Sequence, residues 1–213
     1  MDRWLWQLVA KHKVPPLRES PSAICSGRDD RDLGGAAGLR TAESAIMSDR
    51  TLRELVYGKG AHADTLACVE DVSPELATKS AAAYPHSIWQ IVEHMNYWMD
   101  YELKKISGIV PTYPDHAIES WPAPPSPATE TEWKTVRDSF AKYLAEFAKL
   151  AESGAPGLDR PVKNTDTPQA PRTSSVRDVI MQIAAHNSYH TGQIALLRRQ
   201  SGAWPPRRGG DTW

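Results

Sequence analysis

Two histidines four residues apart are the most chemically informative feature of the chain. His186 and His190 lie in the run Ala-His-Asn-Ser-Tyr-His-Thr-Gly-Gln, which is flanked by apolar residues at helical spacing. Four helical steps correspond to about 400° of rotation and about 6 Å of rise, so both imidazoles leave the same helix face one turn apart. Two metal ligands need this geometry, and a third histidine, His94, lies in a separate apolar helical run. The pattern predicts that three histidines from two helices meet on one divalent metal ion.

An ordinary core histidine is the alternative interpretation of each position. A pair of histidines at this spacing occurs often by chance, and hydrogen bonds could satisfy both rings. His94 could likewise bond to a carbonyl at the edge of the core. Neutral imidazoles buried without partners are costly, however, and a divalent ion removes that cost by taking one nitrogen from each. Three inward-facing histidines on two long helices together favour the metal site.

Four amphipathic helices are predicted to position these histidines. Apolar residues recur at spacings of three and four over four segments: about Asp49–Asp71, Ser87–Ile106, Glu130–Glu152 and Val176–Gln200. The last three segments open on capping signals: Ser87 with Gln90, Thr129 with Glu132, and Ser175 with Asp178. The inward stripe of the fourth segment is predicted to be Val176, Val179, Ile183, His186, His190, Ile194 and Leu197. No repeat and no convincing strand run interrupts this pattern. We therefore expect an all-α fold, a four-helix bundle with long crossover connections.

Two long connections separate the predicted helices. Residues 108–128 are rich in proline, so they are expected to form an extended crossover rather than helix. Residues 153–173 form a second connection with proline and glycine, which leaves room for a short hairpin.

The two ends of the chain differ from the bundle in composition. Residues 1–46 contain a charged, glycine-rich stretch without periodicity, so we expect a disordered N-terminal extension, with Met47 as an alternative start of the folded protein. The first thirteen residues could instead form a docking helix. The bundle domain is assigned to residues 47–213, which include a tail rich in proline and tryptophan. That tail either frays or folds over the bundle, where Arg207 or Arg208 would hold an anionic substrate.

The overall composition excludes several classes of function. The formal net charge is −1, and no basic block is present, so nucleic-acid binding by bulk electrostatics is not expected. No apolar run approaches the length of a membrane span, and residues 4–10 make a poor signal peptide. Cys25 and Cys68 lack metal-type spacing and are too few for a disulfide scaffold. These features favour a cytoplasmic protein in a reducing environment.

Two motifs resemble those of the DinB/YfiT-like superfamily. The first is Ser-Ile-Trp-Gln-Ile-Val-Glu-His-Met-Asn-Tyr-Trp at residues 87–98, and the second is the segment of residues 179–194 with its His-x3-His-x-Gly-Gln pattern. The resemblance covers roughly residues 48–200 in element order. It implies a four-helix bundle with a long crossover, in which His94, His186 and His190 take the ligand positions for zinc, nickel or a similar ion.

The resemblance leaves the activity open. It implies either a metal-dependent transferase that uses a low-molecular-weight thiol, or a non-enzymatic, stress-associated metal-binding bundle, and it also suggests a homodimer. A metal-free interaction module is the third alternative. His62, Tyr97 and Tyr101 are candidate pocket-lining residues on the first and second helices; the alternative, favoured for His62, is a surface or hydrogen-bonded histidine, and for the tyrosines it is packing with a solvated hydroxyl. No residue is assigned as catalytic.

Overall fold

Three long helices form the body of the fold in a computed structural model, which describes residues 50–81, 84–123, 128–163 and 173–208. The helical elements in chain order are α1 (residues 50–56), α2 (Ala67–Glu70), α3 (Pro74–Thr78), α4 (Ile88–Ile106), α5 (Glu130–Ala151), α6 (Gly154–Leu158) and α7 (Val176–Gln200). A 3-10 helix covers Ala117–Ser120, and two short strands are β1 (Pro161–Lys163) and β2 (Thr173–Ser175). The all-α prediction is confirmed. The predictions for residues 1–46 and Trp213 lie outside the described residues.

The predicted capping boxes open all three long helices. At the start of α4, the Ser87 hydroxyl accepts from the Gln90 backbone N–H, and the Gln90 side chain accepts from the Ser87 N–H. Thr129 with Glu132 and Ser175 with Asp178 form the same reciprocal pairs. Each box satisfies two backbone donors that the first helical turn leaves free, which is why the local sequence determines these boundaries so well.

The core lies where α4 packs against both α5 and α7. The apolar stripe of α5 faces it, and its fully buried members include Trp133, Phe140, Leu144 and Phe147. The Trp133 indole N–H donates to the Val72 carbonyl at 2.6 Å, so the large ring enters the core without an unsatisfied donor. The core thereby holds α4 and α7 side by side, and these are the two helices that carry the three histidines.

The prediction of one continuous first helix is wrong. Residues 57–66 form turns between α1 and α2, and Gly58 and Gly60 adopt φ values of 73° and 79°. These values lie in the left-handed region, which interrupts a right-handed helix and which glycine adopts without a Cβ clash. The apolar periodicity continues on both sides of the break, so the pattern alone did not reveal it.

The connections also contain more local structure than predicted. The crossover, expected to be extended, forms the 3-10 helix at Ala117–Ser120, four residues that lie between the prolines at 114 and 122. The suggested hairpin is confirmed as an antiparallel pairing of β1 and β2, in which Val162 lies opposite Ser174. Among the helices of the described residues, none is both long and apolar enough to cross a membrane.

Candidate metal centre

α4 and α7 bring His94, His186 and His190 together in the interior of the bundle. His94 and His190 are only 6 % and 4 % exposed, and His186 is partly buried. The Nε2 atoms of His94 and His186 lie 3.3 Å apart. One nitrogen from each of the three rings lies within 4.8 Å of the others. Within the described residues, these three side chains are the one group of His, Cys, Asp or Glu that could hold a metal ion.

Every one of the three rings has its Nδ1 next to an oxygen acceptor. Nδ1 of His94 lies 3.1 Å from the Ser120 carbonyl, and Nδ1 of His190 lies 2.7 Å from the Gln193 side-chain oxygen. His186 makes a longer contact of 3.4 Å with the Asn187 side-chain oxygen. Oxygen acceptors at Nδ1 favour the tautomer that carries its proton there, so each Nε2 keeps its lone pair. This is the usual outer arrangement around histidines that ligate a metal.

The donor set fits a divalent cation. With Nδ1 protonated, the lone pairs of His94 and His186 face each other at 3.3 Å, which is repulsive unless a cation lies between them. Two imidazole nitrogens bound to one tetrahedral zinc ion at ordinary bond lengths lie about 3.3 Å apart. The separation of this one pair is therefore compatible with a shared ion, and the three rings together converge to within 4.8 Å.

The three imidazoles are held in their neutral form. Burial, together with the neighbouring imidazoles, lowers the pKa of His94 to about 3 and the pKa of His190 to about 4. Burial also lowers the pKa of His186, although its contact with Asn187 opposes this shift. Because a metal ligand must be deprotonated, low pKa values keep all three nitrogens available at neutral pH.

An aromatic wall that sequence reasoning missed closes one side of the site. The Trp121 indole stacks on His94 and on His86, with ring centroids 3.9 Å and 3.8 Å away and nearly parallel planes. Two rings at that distance cannot stack on the same face of the indole, so the indole lies between His94 and His86. Trp121 also meets His190 edge-on at 5.7 Å. No periodic signal marks Trp121 or His86, because both lie in irregular segments.

The other predicted site residues lie at three different places. His62 lies in the turn between α1 and α2, where its Nε2 is 2.8 Å from the Ser188 hydroxyl and its Nδ1 is 2.8 Å from the Ala63 carbonyl. Tyr97 lines a cavity between α4 and α5. Tyr101 is 4 % exposed and packs edge-on against Trp98. Their roles in substrate binding stay predictions.

The C-terminal arginines are engaged away from the histidines. Arg208 pairs with Glu70 at 2.7 Å and lies 3.8 Å from Asp64, while the Arg207 backbone N–H donates to Asp71. Carboxylates of the α1–α2 turn and of α2 therefore neutralise the Arg208 charge, which leaves it a poor candidate for holding an anionic substrate.

Comparison with known families identifies the superfamily of the chain. The family model described as the DinB superfamily matches residues 59–194, which is more than half of the chain and includes all three histidines. Among curated proteins and among solved structures, none matches the chain significantly.

Proposed function

The chain belongs to the DinB superfamily, and we propose that it binds a divalent metal ion, zinc or nickel, through Nε2 of His94, His186 and His190. The observation that carries this proposal is the orientation of the rings. Each Nδ1 meets an oxygen acceptor, and the opposite nitrogens of His94 and His186 approach to 3.3 Å. Imidazole suits both zinc and nickel, so the choice between them belongs to experiment.

We further propose that the bound ion serves a transferase that uses a low-molecular-weight thiol. Three protein ligands leave a coordination position open, as in catalytic rather than closed structural sites. An ion with such a position supplies Lewis acidity, which favours the deprotonated, nucleophilic form of a thiol held there. The residues of this chain hold and orient the three rings, and Trp121 shields His94 from water.

A non-enzymatic metal-binding bundle is the second candidate. The burial of His94 and His190 favours it, because an ion at this depth would also cross-link α4 to α7. Turnover with a thiol and an electrophile separates this candidate from the transferase. A homodimer and a cytoplasmic location remain predictions of the sequence.

Metal content of the purified protein is the decisive test. The full chain is prepared without a nickel column or chelator, and zinc and nickel are counted by elemental mass spectrometry. We expect about one equivalent of metal per chain in the wild type and a loss in His94→Ala, which removes one of three ligands. His116→Ala is the matched control, since His116 is exposed on the crossover, and it should retain the wild-type metal content.

The possible results separate the two parts of the proposal. Metal retained fully in His94→Ala, or absent from the wild type even after incubation with zinc and nickel, would overturn the metal centre. Metal bound as expected, but with no thiol transfer to any electrophile in a screen, would favour the non-enzymatic bundle. Circular dichroism of each variant shows whether the helices persist.

A further inference from the structure

The outward face of α7 is apolar along most of its length. From residue 179 to residue 197 the helix carries no Asp, Glu, Lys or Arg. Three of its large hydrophobic side chains are exposed: Met181 by 55 %, Tyr189 by 66 % and Leu196 by 48 %. A surface helix normally presents charged residues on the side away from the core. An apolar outer face is instead typical of a surface that binds another protein.

The exposed side chains form one stripe that lies opposite the core. At about 100° per residue, positions 178, 181, 185, 189, 192, 196 and 199 fall within about 80° of the helix circumference. The buried residues Ile183, His190 and Ile194 lie on the other side of the helix. We call the residues at these seven positions the α7 stripe: Asp178, Met181, Ala185, Tyr189, Gly192, Leu196 and Arg199.

The α7 stripe is its own complement when a second copy of the helix lies antiparallel to it. In a two-fold interface, a residue of one copy meets a second residue of the other copy, and the reverse contact is made as well. With the axis between residues 188 and 189, Met181 faces Leu196 and Ala185 faces Gly192. One register therefore matches two large apolar side chains with each other and two of the smallest residues with each other.

The charges at the ends of the α7 stripe select the same arrangement. In the antiparallel register, the exposed Asp178 of each copy faces the exposed Arg199 of the other. In a parallel pair each of these residues would face its own counterpart, which is repulsive. Exposed pairs contribute little free energy, but they determine orientation. Antiparallel pairing also brings opposite ends of the two helix dipoles together.

Gly192 supplies an independent observation at the centre of the stripe. Glycine inside a helix destabilises it by about 1 kcal/mol relative to alanine. A Cβ added at Gly192 would meet nothing within 4 Å in the part of the chain that the structure describes, so packing within the chain does not require glycine there. Opposite Ala185 of a second copy, Gly192 would let two helices approach to about 8 Å.

We infer that the α7 stripe is an interface between two copies of this chain, paired antiparallel about a two-fold axis between residues 188 and 189. The contact is one helix wide on each copy, so the dimer should be weak and should form reversibly with concentration. The stripe faces away from the core side of α7, which carries His190, so dimer formation does not depend on a bound metal ion.

Sedimentation equilibrium of the full chain, from micromolar to submillimolar concentration, measures the dimer. We expect the wild type to dimerise reversibly in both metal-free and zinc-loaded protein, so failure of the metal centre would not affect the result. Met181→Glu and Leu196→Lys should each raise the dissociation constant by about tenfold or more, because each places a charge in the apolar contact twice per dimer.

The double variant Met181→Glu/Leu196→Lys tests the register. It should dimerise again, because the antiparallel register brings each introduced carboxylate to the introduced ammonium group of the other copy. Within one chain the two positions are about 22 Å apart along the helix, so this pair can form only between copies. Ile118→Lys is the matched control, since Ile118 is 67 % exposed on the crossover, and it should dimerise as the wild type does.

Three results would contradict the interface. A wild type that stays monomeric at every concentration would overturn it, and so would single variants that dimerise as the wild type does. Failure of the double variant to dimerise, with both single variants monomeric, would overturn the antiparallel register. Circular dichroism shows whether each variant keeps its helices.

Discussion

Each of the three histidines depends on a different acceptor for its orientation. Both the carbonyl and the hydroxyl oxygen of Ser120 lie 3.1 Å from Nδ1 of His94, so substitution of Ser120 would still leave the carbonyl acceptor in place. Side-chain amides orient the other two rings, and the contact between His190 and Gln193, at 2.7 Å, is the shorter one. The role of an outer acceptor can therefore be tested most cleanly at Gln193.

Gln193→Leu should weaken metal binding by about 10–100-fold while leaving all three ligands in place. The substitution removes the acceptor that holds the proton on Nδ1 of His190, so the ring loses its fixed orientation. Gln193→Glu should restore affinity, because a carboxylate accepts the same hydrogen bond and makes the ring a stronger ligand. Competition with a chromophoric zinc chelator measures the affinity.

Gln182→Leu is the control for this series, since Gln182 is exposed on the same helix. It should bind zinc with the wild-type affinity. If Gln193→Leu bound zinc as tightly as Gln182→Leu does, Gln193 would have no positioning role at His190.

At the level of residues, the sequence predicted the candidate ligands better than the residues that orient or cover them. His186 and His190 follow from helical periodicity. The contact of Gln193 with His190 could also have been predicted, because residues three apart on a helix are neighbours. Asn187 is 1 % exposed and contacts His186, and the spacing of the histidines alone does not indicate this contact. Ser120 and Trp121 come from the crossover, where no periodicity relates a residue to its spatial neighbours.

Among the elements, α4 and α7 were the most predictable because their signals are local. A capping box and an apolar stripe both lie within the segment that they describe, and α7 begins and ends at the predicted residues. The first predicted helix failed because the glycine-containing turns at residues 57–66 interrupt it without disturbing the apolar pattern. These turns also place His62 against Ser188 of α7, which a continuous helix would not predict.

Gly58→Ala should lower the free energy of unfolding by about 3 kcal/mol, clearly more than Gly60→Ala, which should lower it by about 1 kcal/mol. Both glycines have positive φ, so both substitutions strain the backbone. Only at Gly58 would the new Cβ also collide with a neighbour, since it would lie 2.1 Å from Cε1 of His62. Urea denaturation of the two variants measures the difference.

A double-mutant cycle isolates the steric part of this effect. In a His62→Ala background the collision is absent, so Gly58→Ala should then cost no more than Gly60→Ala does. An equal cost of Gly58→Ala in both backgrounds would show that backbone strain alone explains it.

For the molecule as a whole, burial of the C-terminal segment against α2 is the feature least visible in the sequence. Arg198 is 2 % exposed and donates to the Cys68 carbonyl and to Asp71, more than 120 residues away in the chain. The Arg207 backbone N–H donates to the other oxygen of Asp71. Charged residues near a helix C-terminus ordinarily predict solvent exposure, so only the tertiary fold reveals this pair, in which Arg198 is buried and Asp71 is partly buried.

Asp71→Asn should lower the free energy of unfolding by about 1–3 kcal/mol at pH 7, because Arg198 then keeps its burial but loses its opposite charge. Burial opposes ionisation of Asp71, but the hydrogen bonds from Arg198 and Arg207 outweigh it and hold the pKa below the ordinary value of 3.8. A lowered pKa in the folded state stabilises the protein above the ordinary value, and this contribution is lost as the pH falls through the folded-state pKa.

The difference between wild type and Asp71→Asn should therefore be full at neutral pH and shrink below pH 3.8, the ordinary pKa of the group. Urea denaturation at a series of pH values measures it. Glu70→Gln is the matched control, because Glu70 and Arg208 form an exposed pair that should contribute less than about 0.5 kcal/mol at any pH. A constant difference across the whole pH range would mean that Asp71 stabilises the tail through packing, without a contribution from its charge.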